Sequence, residues 1–180
     1  MEFKTGQILN FKYYEDFFGK TIRWYNMKVY GIDGFTHTAI ITNVKPLRMA
    51  QAMSKGFEIV DVYEPWLTNC INCGQVVIGE SKIPLKNVEE TAKKYEGRPY
   101  GFLDLINIGL ILIFRNKSIG FTGSRALICS EAVCRLLYDC SDKKIMLGFN
   151  KKKDKELSEF KKSFDLITPT DISKSKYIKW

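Results

Sequence analysis

The chain has 180 residues, of which 45% are hydrophobic and 27% are charged, and it carries a formal net charge of +8. This composition is that of an ordinary soluble globular protein, and the length favours one domain over residues 1–180 with a core of its own. Five cysteines, an odd number, argue against a disulfide framework.

The first half of the chain predicts one helix followed by a series of strands. Residues 14–25 place aromatic and aliphatic side chains on one face and predict a helix. Runs rich in β-branched residues, separated by turn residues, predict strands. The predicted strands are residues 7–12, 36–42, 47–53, 57–63 and 75–80.

The second half predicts helices. Asn87, followed by Glu89 and Glu90, favours a helix start and a helix to about residue 96. The apolar run at residues 103–114 is too short to span a bilayer, which takes about 20 residues, and predicts a buried helix. Another helix is expected to begin near Ser130. Antiparallel strands followed by helices predict an α+β fold, in which an antiparallel sheet packs against helices.

Cys129 is the candidate nucleophile. It lies where the last predicted helix begins, and a helix N-terminus favours a thiolate because unpaired N–H groups and the helix dipole lower a cysteine pKa there. We expect Ser130 to cap this helix and Glu131 to lie in its first turn. A buried, inert cysteine is the alternative, and it is the expected state of Cys134, five residues further on.

His37 is the only histidine in the chain, so any imidazole base must be this residue. It lies in the predicted strand at residues 36–42, as a general base or as the imidazolium partner of a thiolate. A half-buried histidine with a purely structural role is the alternative.

Gln51 is the candidate for the group that orients the imidazole. A hairpin centred near Val44 would place Gln51 directly across from His37 on the same sheet face. A slip of one residue would move it to the other face. Glu58, on the next strand, is the alternative third residue.

The order of these residues resembles a known family. A strand with His37 followed by Ala39-Ile40-Ile41, and much later Cys129-Ser130-Glu131 opening a helix, is similar to the circularly permuted branch of the NlpC-type papain-like fold, which includes the YaeF/YiiX-type amidases. Residues 5–9 resemble the opening segment of such domains, and residues 165–172 resemble their closing segment. The resemblance therefore covers nearly the whole chain.

This resemblance implies a cysteine hydrolase that forms a thioester acyl-enzyme from an amide or ester, with a cell-wall peptide or an aminoacyl compound as substrate. A lipid-directed acyltransferase or thioesterase is the alternative within the same fold. The family often has Glu where this chain has Gln51, so a weakened enzyme or a catalytically silent binding module is also open. Tyr100 resembles the family's Tyr-Asp element, with Gly101 in place of Asp. Tyr100 and Ser130 are candidates for lining the pocket or binding an oxyanion.

Two cysteines elsewhere form half of a zinc motif. Cys70-Ile71-Asn72-Cys73 supplies two ligands of the four that a structural zinc site needs. We therefore expect a plain turn between strands at this point, no metal site and no cofactor.

The C-terminal region is basic. From Ser141 to Trp180 there are eleven Lys against six Asp and Glu, with the densest patch at Lys151, Lys152, Lys153 and Lys155. A solvated loop with a short helix is one interpretation; attraction to an anionic polymer or surface is the other. No nucleic-acid-binding motif accompanies the patch. The first residues lack the pattern of a signal peptide, and no run of residues is long enough to span a membrane, so we expect an intracellular, reducing compartment.

Overall fold

A six-stranded antiparallel sheet lies at the centre of the computed structural model, which describes residues 1–12, 17–101, 127–149 and 152–180. The strand order is β4-β3-β2-β1-β5-β6. The strands are β1 (Ile8–Phe11), β2 (His37–Val44), β3 (Leu47–Met53), β4 (Gly56–Asp61), β5 (Val76–Ser81) and β6 (Ile178–Lys179). Helices pack against this sheet, so the predicted α+β class is confirmed.

In the described part of the chain, the helices lie between strands. They are α1 (Phe17–Tyr30), α2 (Glu64–Asn72), α3 (Val88–Lys93), α4 (Cys129–Cys140) and α5 (Pro169–Ser173), with 3-10 turns at Lys152–Leu157 and Phe164–Leu166. Helix α1 lies between β1 and β2, α2 between β4 and β5, and the others between β5 and β6. The helix predicted at residues 103–114 lies outside the described residues. In the part of the chain that is described, no helix has both the length and the apolar character to cross a membrane.

Helix α2 corrects the prediction of a plain turn at Cys70–Cys73. Cys70 lies in its last turn, and Cys73 is its C-cap. Pro65 fits the start of this helix, because the first N–H groups of a helix have no intrahelical partner to lose. Gly74 follows with a φ of 73°, a conformation that commonly ends helices. The two cysteines are thus spaced by a helix end rather than by a metal-binding loop.

Each face of the sheet carries its own hydrophobic cluster. The face that we call the α4 face packs against α4, and its sheet residues include Ile8, Ile40, Ala50 and Ala52. The opposite face, the α2 face, packs against Leu67 and Cys70 of α2, and its sheet residues include Leu9, Phe11, Ala39, Ile41 and Met49. Strand residues alternate between these faces, as the two-residue period of a strand requires.

The register of the β2–β3 hairpin differs from the prediction. Ile40 pairs with Ala50 and Val44 with Leu47, with a bulge between Ile41 and Asn43. Continued by one residue, this pairing places Ala39, not His37, opposite Gln51. The prediction centred the hairpin too early, and the bulge, which it did not include, offsets part of that error. The error amounts to two residues, so His37 and Gln51 still share a face.

Gly56 allows a second segment to dock beside β4. Its φ is 116°, and a Cβ atom at this position would lie 2.5 Å from the carbonyl oxygen of Arg98. That same oxygen accepts a hydrogen bond from the N–H of Phe57 at 2.8 Å. Two residues beyond Arg98, Tyr100 forms a parallel bridge with Leu127, just ahead of α4. The glycine therefore allows the segment that bridges Leu127 to lie against β4.

We expect Tyr95→Phe to reduce the alkaline sensitivity of the fold. The Tyr95 hydroxyl donates to Asp139 at 2.6 Å, and burial, followed by this hydrogen bond to a carboxylate, raises the tyrosine pKa above its ordinary value of 10.0. The contribution of Tyr95 to the free energy of unfolding is therefore complete below pH 10. It falls as the pH rises further, by about 1 kcal/mol at pH 11. Denaturant unfolding between pH 8 and 11 should show the stability difference between the wild type and Tyr95→Phe narrowing. Tyr138→Phe is the control, and a constant difference would contradict the expectation.

Candidate active site

His37 is the first residue of β2 and is buried. Its Nε2 atom lies 3.0 Å from Oε1 of Gln51, so the hydrogen bond expected between these residues is present. The imidazole also contacts the ring of Phe11, its partner across β1 and β2, with 5.4 Å between ring centroids. Alternation along β2 places His37 on the α2 face.

Glu58 extends this contact into a row of three polar side chains. Gln51 Nε2 donates to Glu58 Oε1 at 3.0 Å, and the two residues are paired across β3 and β4. Gln51 is buried and Glu58 is half-buried. Glu58, predicted as a rival of Gln51, is thus its hydrogen-bond partner. We call His37, Gln51 and Glu58 the polar row.

Cys129 is the first residue of α4, and its residue surface is only 3% exposed. The N-cap is Ile128, whose extended backbone provides no side-chain cap. The N-cap residue therefore provides no side-chain cap, and Cys129 lies at the positive end of the helix dipole, a setting that favours an anion.

Contacts through the closing segment place the start of α4 at the end of the sheet where β2 begins. The Ser130 hydroxyl donates to the carbonyl of Ile167 at 2.6 Å. Two residues further along, the carbonyl of Pro169 accepts a hydrogen bond from the buried side chain of Asn10 at 3.2 Å. Asn10 pairs with Thr38, the neighbour of His37. The structure thus brings the polar row together on the α2 face and places Cys129 at the same end of the sheet, on the helix that covers the α4 face.

Ser130 and Tyr100, the candidate pocket residues, have different settings. Ser130 does not cap α4, because the N-cap position belongs to Ile128, and its hydroxyl hydrogen is engaged by Ile167. Ser130 therefore fastens α4 to the closing segment, which argues against the predicted oxyanion role for its hydroxyl. Tyr100 is half-buried, and its backbone bridges Leu127, two residues ahead of Cys129. It thus lies beside the chain that leads to the candidate nucleophile.

The other cysteines provide a contrast with Cys129. Cys134 and Cys140 are buried in α4, and burial raises the pKa of both thiols, that of Cys134 strongly. Burial also raises the pKa of Cys70. Cys73 is exposed at the end of α2. Glu131 lies in the first turn of α4, as expected, and forms a partly buried ion pair with Arg135.

The closing segment contains a helix cap that was not predicted from the sequence. Thr168 and Asp171 form a capping box at α5: the Thr168 side chain accepts from the Asp171 N–H, and the Asp171 carboxylate accepts from the Thr168 N–H and hydroxyl. Lys162 adds an ion pair to the same carboxylate at 3.0 Å. A Thr followed three residues later by an acidic side chain is the signal that predicts such a box.

The basic C-terminal region is partly engaged in ion pairs. Lys161 pairs with Glu156, and Lys162 with Asp171; Lys151 lies outside the described residues. Across the described ranges, no group of three or more His, Cys, Asp or Glu side chains is placed to hold a metal ion.

The chain aligns over nearly its full length with a solved structure. This is the crystal structure of metalloprotein yiiX from Escherichia coli O157:H7 (DUF1105), with a TM-score of 0.61 and 18% sequence identity. The alignment covers 98% of this chain and 94% of that chain. The fold is therefore YiiX-like. At this identity the likeness concerns the fold alone, which agrees with the papain-like α+β class that the sequence predicted. No protein-family model matches the chain, and no curated protein matches it in sequence.

Proposed function

We propose that this protein is a cysteine hydrolase of the circularly permuted NlpC type, in which Cys129 is the nucleophile and His37 is its base. The observation that carries the proposal is the buried polar row, which holds the only imidazole of the chain at the end of the sheet where α4 begins with a cysteine. A Cys–His pair with a third group that orients the imidazole is the arrangement that thiol catalysis uses.

The proposal requires the thiol and the imidazole to meet past the end of the sheet. His37 is the first residue of β2, so its side chain lies at the end of that strand. Cys129 is likewise the first residue of its helix. With Nε2 held by Gln51, the other ring nitrogen, Nδ1, is the one that must exchange a proton with the thiol.

The chemistry is acyl transfer in two steps. The Cys129 sulfur attacks the substrate carbonyl, a C–S bond forms, and the imidazolium gives its proton to the leaving amine or alcohol as the C–N or C–O bond breaks. Water, deprotonated by the imidazole, then attacks the thioester, and the thiolate leaves. Backbone N–H groups at the start of α4, including that of Cys129, are the donors that would stabilise the oxyanion in both steps.

The substrate class is the least specific part of the proposal, because it rests on the resemblance alone. A small peptide of the cell wall or an aminoacyl compound is the first candidate, and an acyl lipid is the second. The apolar run at residues 103–114, which would favour a lipid pocket, lies outside the described residues. A silent binding module was suggested by the neutral Gln51, and Glu58 weakens that suggestion because it places a carboxylate next to the amide.

A pH-resolved alkylation experiment tests the Cys–His pair. We expect iodoacetamide to label Cys129 measurably at about pH 6.5, because an imidazolium partner keeps a thiol ionised below its ordinary pH range. His37→Gln should slow this labelling at the same pH by about 10-fold or more. Mass-spectrometric peptide mapping would quantify each cysteine separately.

Cys73 is the internal control, because it is exposed and far along the chain from the site. Since Cys129 is buried, the pH profile and the effect of His37→Gln decide the outcome, rather than the absolute rates of the two cysteines. An equal Cys129 rate in wild type and His37→Gln at pH 6.5 would refute the pair.

A further inference from the structure

The orientation of the Gln51 side chain is set by the residue behind it. A carboxylate has no hydrogen to donate, so the atom of Gln51 that lies 3.0 Å from Glu58 Oε1 must be the amide nitrogen. The amide oxygen then points the other way, at Nε2 of His37, also at 3.0 Å. Glu58 therefore selects one of the two orientations that a free amide could take.

This orientation determines which nitrogen of the imidazole carries the hydrogen. The Gln51 oxygen can only accept, so Nε2 of His37 must donate, and the neutral ring is the Nε2–H form. In that form the lone pair lies on Nδ1. If the amide were reversed, its NH₂ group would donate to Nε2, the hydrogen would move to Nδ1, and the lone pair needed for taking a proton from a thiol would be lost.

We propose that Glu58 is a positioning residue, which fixes the tautomer of His37 through Gln51. It does not touch the reacting atoms; it acts on the direction of one hydrogen bond. The catalytic consequence of this tautomer rests on the proposed function, whereas the tautomer itself does not.

The surroundings of the row favour such control. His37 and Gln51 are 5% and 6% exposed, so water competes little for their hydrogen bonds. Gln51 and Glu58 are direct partners across β3 and β4, which fixes their separation through the backbone. A neutral amide alone has no such preference, because its oxygen and nitrogen ends have the same shape.

The sole histidine makes the tautomer directly measurable. We expect ¹⁵N NMR of the imidazole, at a pH where the ring is neutral, to show a protonated Nε2 and an unprotonated Nδ1 in the wild type. In Glu58→Gln, which has the same shape, the Gln51 amide can reverse. The two ring-nitrogen resonances should then move towards each other as the Nδ1–H form becomes populated. Unchanged resonances, or an Nδ1–H form in the wild type, would overturn the proposal.

Two further variants separate this effect from a general disturbance. Gln51→Glu combined with Glu58→Gln restores a carboxylate that can only accept from Nε2, so it should restore the single Nε2–H form. Glu89→Gln is the matched control, because Glu89 also accepts from an amide of β2, that of Asn43 at 3.1 Å, but at the other end of the strand. It should leave the imidazole resonances unchanged.

The alkylation of Cys129 in these variants separates the two proposals. An altered tautomer in Glu58→Gln together with an unchanged Cys129 pH profile would leave the positioning role intact and argue against the Cys–His pair. A tautomer that does not respond to Glu58 refutes the positioning role, whatever the thiol does.

Discussion

Cys129→Ala is expected to lower turnover of an activated ester by about 10³-fold or more, since removing a nucleophile leaves only the binding and oxyanion contributions. Wild-type protein incubated with the ester should gain the mass of one acyl group on the Cys129 peptide, and the variant should not. A series of p-nitrophenyl esters of increasing acyl length, with aminoacyl anilides alongside, would also rank the lipid and peptide alternatives.

Cys73→Ser is the control for unspecific acylation of an exposed thiol, and it should retain full turnover. The melting temperature of Cys129→Ala must stay near that of the wild type for the comparison to hold. Equal turnover by the wild type and a folded Cys129→Ala would contradict the assignment of the nucleophile. Acylation with one burst of p-nitrophenol and no hydrolysis of the thioester would favour a binding module.

Asp171→Ala is expected to lower the free energy of unfolding by about 3 kcal/mol, the largest effect on stability that we expect. The carboxylate is buried and accepts hydrogen bonds from the backbone and hydroxyl of Thr168 and from Lys162. Because the Lys162 side chain is one-third exposed, most of the loss should come from the capping box rather than from the ion pair. Urea denaturation measures the change.

Asp171→Asn separates the two contributions, because the amide oxygen can still accept from Thr168 but carries no charge to pair with Lys162. It should lose less than Asp171→Ala. Lys86→Ala, which breaks the exposed ion pair with Asp142, is the surface control and should have a much smaller effect. Similar losses for Asp171→Ala and Lys86→Ala would contradict the importance of the cap.

The parts of the site that the sequence could predict are those that depend on local pattern. Strand β3 has the predicted bounds, and the period of two that placed His37 and Gln51 on one face also survives the register error. The register itself depends on where the turn lies and on the bulge after Ile41, and neither leaves a clear signal in composition. A face can therefore be predicted where an exact pairing cannot.

Glu58 shows what more could have been predicted. A two-residue turn at Ser54-Lys55 pairs Met53 with Gly56, and from that pairing Gln51 must lie opposite Glu58. Gln51 and Glu58 were predicted as rivals because each was paired with His37 and not with the other. Helix α2 was not predicted, for a different reason. Pro65 and the spacing of Cys70 and Cys73 are typical of a loop. The helical signal is only the burial of Leu67 and Cys70, which lie three residues apart.

The contacts of the closing segment bear on how the protein is made. Ser130 is fastened to a residue 37 positions later, and Asn10 to one 159 positions later. Since a ribosome delivers the chain from its N-terminus, β1 is synthesised long before the segment that joins it to α4, and α4 shortly before it. A growing chain would therefore carry the thiol and the imidazole without their final alignment until residues 165–172 had emerged, so that the newly made protein would acquire the proposed site late in folding.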